Sequence, residues 1–213
     1  MSLMVNEIFY SIQGESTYSG CPCIFIRLTG CNLRCSYCDT TYAYTEGKRI
    51  EVADILKHIS SFRCNLVEIT GGEPLLQDNT TLLIENLIQK GYSVLIETNG
   101  SLDISPLHDE VIKIMDIKTP SSGMEHCNLW DNIDKLTDND QVKFVIGERE
   151  DYMWALSILN TYHRLNEMEV LFSPVFNQLS PQVLADWILK DRLKIRLQLQ
   201  LHNYIWENKK RGV

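Results

Sequence analysis

Three cysteines set the chemistry this chain can do. The segment Gly30-Cys31-Asn32-Leu33-Arg34-Cys35-Ser36-Tyr37-Cys38-Asp39 spaces them as C-x3-C-x2-C. Three thiolates packed this closely suit three corners of a compact iron–sulfur cube, which usually takes four cysteine ligands. No fourth cysteine follows at a short spacing, so one iron would stay open to an outside ligand, as a catalytic metal keeps a vacant position. Two plainer readings stand beside this one. Zinc could use the same three thiols with Cys21, Cys23 or His126 as a fourth ligand, although zinc knuckles usually pair two C-x2-C units and only one occurs here. Buried, inert thiols suit Cys21, Cys23, Cys64 and Cys127 taken singly, and suit three in this array poorly.

The elements that must position these thiols can be read from the apolar runs. Ile24–Thr29, Leu66–Thr70, Ser93–Thr98, Val111–Ile117, Val142–Ile146, Val170–Ser173 and Leu197–Leu201 are short and nearly continuous in apolar character. Such runs predict strands covered on both faces. Helical stripes fall between several of them: Val52, Ile55, Leu56 and Ile59; Leu82, Leu83, Leu87 and Ile88; Trp154 through Leu165; and Val183, Leu184, Trp187 and Ile188 behind a Ser180 N-cap and Pro181. Strands alternating with helices predict an α/β protein with a parallel sheet. A closed eight-unit barrel takes about 250 residues. The 213 residues here therefore predict an open, partial βα barrel of about six parallel strands. The chain reads as a single domain over residues 1–213, with Met1-Ser2-Leu3 taken as a vector remnant before a second start at Met4. Polar and glycine-rich segments fall at the predicted strand C-termini, where parallel α/β folds gather functional groups. They are Cys31, Gly71-Gly72-Glu73-Pro74, Thr98-Asn99-Gly100, Lys118 and Ser173-Pro174.

The net charge is −8, from 20 Lys+Arg against 28 Asp+Glu. That balance disfavours a protein built to wrap nucleic acid or lie on an anionic membrane. No apolar run approaches a membrane span, and the N-terminus has no secretory pattern. Seven cysteines, an odd count without a signal peptide, predict reduced thiols in the cytoplasm.

The three cysteines behind a first strand, followed by Thr70-Gly71-Gly72-Glu73-Pro74 behind a second, resemble the radical S-adenosylmethionine superfamily. The resemblance implies a 4Fe–4S cluster on Cys31, Cys35 and Cys38 whose open iron holds S-adenosylmethionine. Phe9-Tyr10-Ser11-Ile12-Gln13-Gly14-Glu15-Ser16, Ile24-Phe25-Ile26-Arg27-Leu28 and Cys38-Asp39-Thr40 narrow the likeness to the 7-carboxy-7-deazaguanine synthase family of queuosine and deazapurine biosynthesis. It continues more loosely through Gly71–Leu76, Glu97–Gly100, Asp116–Gly123 and Gln200–Val213. That family implies a lyase that rearranges 6-carboxy-5,6,7,8-tetrahydropterin to 7-carboxy-7-deazaguanine with loss of ammonia.

By the same resemblance Thr40 is a Mg²⁺ ligand, its hydroxyl being a hard donor of the kind that ion prefers. Tyr37, Cys38, Asp39, Gly72, Asp116, Lys118 and Ser173 are implied cofactor contacts. Ile12, Gln13, Gly14, Glu15, Thr70, His202 and the terminal carboxylate of Val213 are implied substrate contacts, and Arg27 is the implied partner of the substrate carboxylate. The likeness also implies a homodimer and an electron donor such as flavodoxin or ferredoxin. Two alternatives remain. One is a glycyl-radical-enzyme activase, which shares the cysteines and the glycines but needs no pterin pocket. The other is a non-catalytic zinc or iron–sulfur binding module.

Overall fold

The structure, a computed structural model, describes residues 1–206, 209 and 211–213. It opens with an antiparallel hairpin, β1 (Ser2–Ile12) and β2 (Pro22–Leu28), followed by β3 (Lys48–Glu51) and α1 (Val52–Ile59). Then come β4 (Leu66–Gly71), α2 (Asn79–Gln89), β5 (Ser93–Thr98), β6 (Ile112–Ile117) and β7 (Gln141–Ile146). The chain continues through α3 (Arg149–Thr161), β8 (Glu169–Pro174), α4 (Pro181–Lys190), β9 (Arg196–Leu197) and α5 (His202–Ile205). The strands form one sheet in the order β3-β1-β2-β4-β5-β6-β7-β8-β9. From β2 to β9 all pairings are parallel, while β1 pairs antiparallel with both β2 and β3. The sheet stays open, with β3 and β9 at its edges, so it is the expected partial α/β barrel.

The strand period of two divides the sheet into an outer and an inner face. Ile24, Ile26 and Leu28, Val67 and Ile69, Val94 and Ile96, Met115 and Ile117, Val142 and Phe144 point outward, into the core shared with the helices. Alternate residues are left on the inner face: Phe25 and Arg27, Glu68 and Thr70, Glu97, Asp116 and Lys118, Lys143 and Val145. These inner residues line one concavity.

Residues 2 and 3, whatever their origin, are part of the sheet: Ser2 pairs with Glu51, and Leu3 is 1% exposed in the core. Elsewhere the structure departs from the sequence pattern. Strands β1 and β3 escape the apolar-run pattern because they are half-polar and pair antiparallel at an edge. The run Leu197–Leu201 is a strand only at Arg196–Leu197. Beyond it the chain leaves the edge and turns onto the N-terminal loop, where the Leu201 amide donates to the Gly14 carbonyl at 3.0 Å. The third helix ends at Thr161, and Leu165 lies in a separate 3-10 segment, His163–Glu167. Ser180 stands at the cap of α4 in extended geometry, but its side chain makes no capping bond. No helix among the described residues is long and apolar enough to cross a membrane.

Candidate active site

The concavity is a cavity of about 1240 Å³. That exceeds the few hundred to about 1,000 Å³ of an ordinary small-molecule site and leaves room for two ligands. Every residue that the family resemblance implies as a ligand or contact lines it, with one exception. Ser173 is 1% exposed on β8, outside the lining, and its hydroxyl finds no hydrogen-bond partner among the described residues. The lining passes instead to Pro174 and to Val175–Pro181, the segment running into α4.

Cys31, Cys35 and Cys38 sit on the loop that leaves β2. That loop is tied down along its length. The Gly30 amide donates to the Ala43 carbonyl at 2.9 Å, and Ser36 reaches the turn after β6 through its amide to Ser122 O (3.1 Å) and its hydroxyl to Ser121 O (2.6 Å). Asn99, after β5, donates to Asn32 Oδ1 at 3.1 Å and approaches Cys31 Sγ at 3.9 Å, while the Leu33 amide points at the same sulfur at 3.4 Å. N–H groups aimed at a ligand sulfur are among the features that tune iron–sulfur clusters. Burial pushes the Cys31 and Cys35 thiols up, and the nearby Lys118 ammonium acts the other way.

The Gly71-Gly72 segment presses against this loop. A Cβ on Gly72 would stand 2.0 Å from the Gly30 carbonyl oxygen and 2.9 Å from Cys31 Cβ, so only glycine permits the approach. Gly71, at φ +142°, passes Leu28 as closely. Glu73 fixes the next turn. Its carboxylate accepts from the Leu75 amide (3.0 Å), the Thr98 hydroxyl (3.0 Å) and the Asn99 amide (2.7 Å), while its own amide donates to Gly30 O at 2.7 Å.

The donor set fits the cluster and its cofactor. Three thiols line the same cavity, and Gly72 gives a cradle beside Cys31. Asp116 Oδ1, in the cavity wall, is buried with no hydrogen-bond partner among the described residues. The fit to one zinc ion is poorer. Among the described residues no three His, Cys, Asp or Glu side chains gather closely enough for a single ion. Of the proposed fourth ligands, Cys21, Cys23 and His126 all lie outside the cavity lining.

Away from the thiols the inner face is strongly polar. Lys143 lies at 2.7 Å from Glu15, 3.3 Å from Glu97 and 3.7 Å from Asp116, and Lys118 pairs with Asp116 at 3.0 Å. Burial would lower Lys143, but Glu15, Glu97 and Asp116 outweigh it and hold the ammonium well above its ordinary value. Burial likewise pushes Glu15 up, and Lys143 with His202 overcomes that, leaving it at about 2. Glu68 goes the other way: burial, then Glu97 and Glu15, hold its carboxyl well above the usual carboxylate range. The Gln13 amide donates to Glu68, and Gln13 Oε1 accepts from the Glu15 amide at 3.1 Å. The Thr70 hydroxyl donates to Glu97 at 3.1 Å. Arg27 faces the cavity with its Nε on Glu7 at 2.8 Å, and the Thr40 hydroxyl donates to Asp39 at 2.7 Å. His202 closes the rim over Gly14, where an added Cβ would come within 2.7 Å of its Nδ1.

Sequence reasoning missed Glu68, Lys143 and Glu7, and touched Glu73 and Glu97 only as parts of similar segments. The available signal was a charged residue inside an apolar strand run, as at Glu68 and Lys143, recurring in step with Thr70 and Val145 on one face.

An open βα barrel with three thiols on the loop after its first parallel strand defines a class, and the Radical SAM superfamily model matches residues 25–119. Two solved structures share the fold. QueE from Escherichia coli aligns with TM-score 0.77 over 94% of each chain at 24% identity. Streptococcus suis SuiB bound to S-adenosylmethionine aligns with TM-score 0.54 over 84% of this chain and 51% of that one, at 13% identity. The sequence narrows the class further. The chain is 44% identical over 214 residues to the 7-carboxy-7-deazaguanine synthase of Chlorobaculum tepidum (99% of this chain, 97% of that protein). It is 41% identical over 226 residues to the enzyme of the same name from Koribacter versatilis (99% and 100%). The chain belongs to the 7-carboxy-7-deazaguanine synthase family.

Proposed function

We propose that this protein is a radical S-adenosylmethionine lyase that converts 6-carboxy-5,6,7,8-tetrahydropterin to 7-carboxy-7-deazaguanine and ammonia. One observation carries the reading. The three thiols with their glycine cradle, and a separate polar surface of Gln13, Glu15, Arg27 and Thr70, open on the same cavity. Substrate and product differ by one ammonia, so the net reaction needs no oxidant.

Cys31, Cys35 and Cys38 would hold the 4Fe–4S cluster, with S-adenosylmethionine against Gly72 and within reach of Tyr37, Asp39, Asp116 and Lys118. When bound, cluster and cofactor supply a carbon radical that removes a hydrogen from the pterin. The protein's own residues bind, orient and enclose. Gln13 and Glu15 offer donors and acceptors to the heterocycle edge. Arg27 offers a guanidinium to the carboxylate. Thr40, oriented by Asp39, is the proposed Mg²⁺ ligand. Lys143 neutralises the carboxylates that line the floor. His202 and Val213 complete the rim.

A cytoplasmic location, a homodimer and reduction by a flavodoxin or ferredoxin are part of the same proposal. Seven unpaired cysteines support a reducing compartment. Neither the activase nor the zinc module gains an observation of its own.

The test is anaerobic reconstitution, followed by reductant, S-adenosylmethionine, Mg²⁺ and the carboxylated tetrahydropterin, with product read by mass. The expected product is the substrate less ammonia. Cofactor cleavage without that product would overturn the substrate while keeping the class, and full activity in Cys35→Ala would overturn both.

A further inference from the structure

We propose that Glu7 is a positioning residue of the substrate-carboxylate pocket, joining Arg27 to the end of the chain through its two carboxylate oxygens. The inference rests on the reading of Arg27 as the partner of the substrate carboxylate, and adds a residue that reading does not contain.

Glu7 reaches Arg27, which lines the pocket, because of an irregularity in β1. Leu3 and Val5 point outward into the main core, and strict alternation would send Glu7 and Phe9 after them. The register shifts between Val5 and Glu7. A bulge of this kind turns the rest of a strand over. Phe9 accordingly packs inside with Cys23 and Phe25, and Glu7 pairs opposite Arg27.

The carboxylate is then shared. Oε1 accepts from Arg27 Nε at 2.8 Å and from the Tyr42 hydroxyl at 3.2 Å. Oε2 accepts from the Gly212 amide at 3.0 Å. The Arg27 guanidinium also lies over the rings of Phe9 (5.7 Å) and Tyr42 (6.0 Å), so its plane is held from several sides. The ion pair uses Nε, and among the described residues Arg27 has no other acidic partner. That leaves its Nη groups for an incoming carboxylate. Arg211 also stacks on Tyr42, at 4.2 Å, and pairs with Glu46 at 2.6 Å. Val213, next to Gly212, lines the cavity. One carboxylate thus holds both a cationic group in the pocket and the chain end beside it.

Glu7→Gln tests this. A glutamine keeps one acceptor oxygen, and its amino group only donates, so it can hold Arg27 or Gly212 but not both. The expected results are a rise of about tenfold or more in KM for the pterin, a kcat within about threefold of the parent, and an unchanged KM for S-adenosylmethionine. In the apoprotein, hydrogen exchange at Gly212 is expected to quicken. In a chain lacking Arg211–Val213, Glu7→Gln is expected to add less than in the full chain.

Unchanged pterin KM and Gly212 exchange would overturn the proposal. An equal rise in cofactor KM, or strictly additive effects with the deletion, would do so too. Arg27→Ala separates the underlying reading: if it leaves pterin KM unchanged, the carboxylate assignment fails, whereas a raised KM there beside a normal Glu7→Gln overturns only the role of Glu7. Should Glu7→Gln not fold, Glu7→Asp, with both oxygens on a shorter arm, is read by the same two measurements.

Discussion

Lys143 Nζ lies 2.7 Å from Glu15 Oε2, with the two side chains only 7% and 13% exposed. Glu15 comes from the loop after β1 and Lys143 from β7, so the pair spans the open barrel. Glu97 and Asp116 crowd the same ammonium from β5 and β6. A parallel sheet brings these charges together because their positions share one pleat face. They are tolerated because the three carboxylates share two cations, Lys143 and Lys118.

Lys143→Met is expected to destabilise the apoprotein by about 3–5 kcal/mol at neutral pH, the usual result of leaving one half of a buried pair unanswered. The pH dependence has a definite sign. The folded value of Glu15 is lowered from 4.5 to about 2, so its contribution is present above pH 4.5 and is lost as pH falls toward 2. The gap between parent and variant should therefore narrow in acid. Denaturant unfolding between about pH 3 and pH 7 checks it, and equal stability at pH 7 would contradict the role.

Gly72→Ala is expected to abolish stable cluster assembly. Its Cβ would sit 2.0 Å from the Gly30 carbonyl oxygen, a contact that backbone must relieve by moving the loop that carries Cys31. Iron content after reconstitution should fall well below half of the parent's. Gly20→Ala is the control: Gly20 has a positive φ, which Gly72 does not, but an added Cβ there meets nothing within 4 Å. It should take up iron normally despite some strain. Normal iron in Gly72→Ala would sink the cradle.

The cysteine loop and the Gly71-Gly72 turn were legible because their chemistry is contiguous in sequence. So were the six inner parallel strands, since continuous apolar runs mark strands covered on both faces. Glu68 and Lys143 were not legible singly, because one charge in an apolar run says nothing about the partner that the barrel brings to it from another strand. Glu7 was hidden twice. Its half-polar antiparallel strand lacks the buried-strand pattern, and its direction depends on a bulge that no spacing reveals. Ser173 was misplaced for the opposite reason: its strand end was right, but the cavity wall there is built by the residues that follow it.

Thr40→Ala is expected to raise the Mg²⁺ concentration needed for half-maximal activity by about tenfold or more, since losing a ligand should weaken a metal site at least as much as losing a group that orients one. Thr40→Ser, which keeps the hydroxyl and so the 2.7 Å bond to Asp39, should retain the parent response. The two variants differ only in an oxygen, so the comparison isolates the hard donor. Metal titrations that superimpose for all three proteins would remove Thr40 from the site.

Glu68 gives the most direct test of the cavity's electrostatics. It is 2% exposed, takes a hydrogen bond from Gln13, and is held well above the usual carboxylate range by burial and by Glu97 and Glu15. The folded chain thus binds a proton that the unfolded chain gives up near pH 4.5. Where the folded state holds more protons, stability falls as pH rises. The Glu68 contribution is therefore full below pH 4.5 and declines above it, toward the folded value. Glu68→Gln keeps the shape of the protonated acid and carries no titrating proton, so that decline should vanish. Relative to the parent, the variant should gain stability steadily from about pH 4.5 upward, measured by denaturant unfolding of the apoprotein. Parallel curves for the two proteins would mean that Glu68 is not the group that holds the proton, and that the carboxylates on the cavity floor are balanced by Lys143 without it.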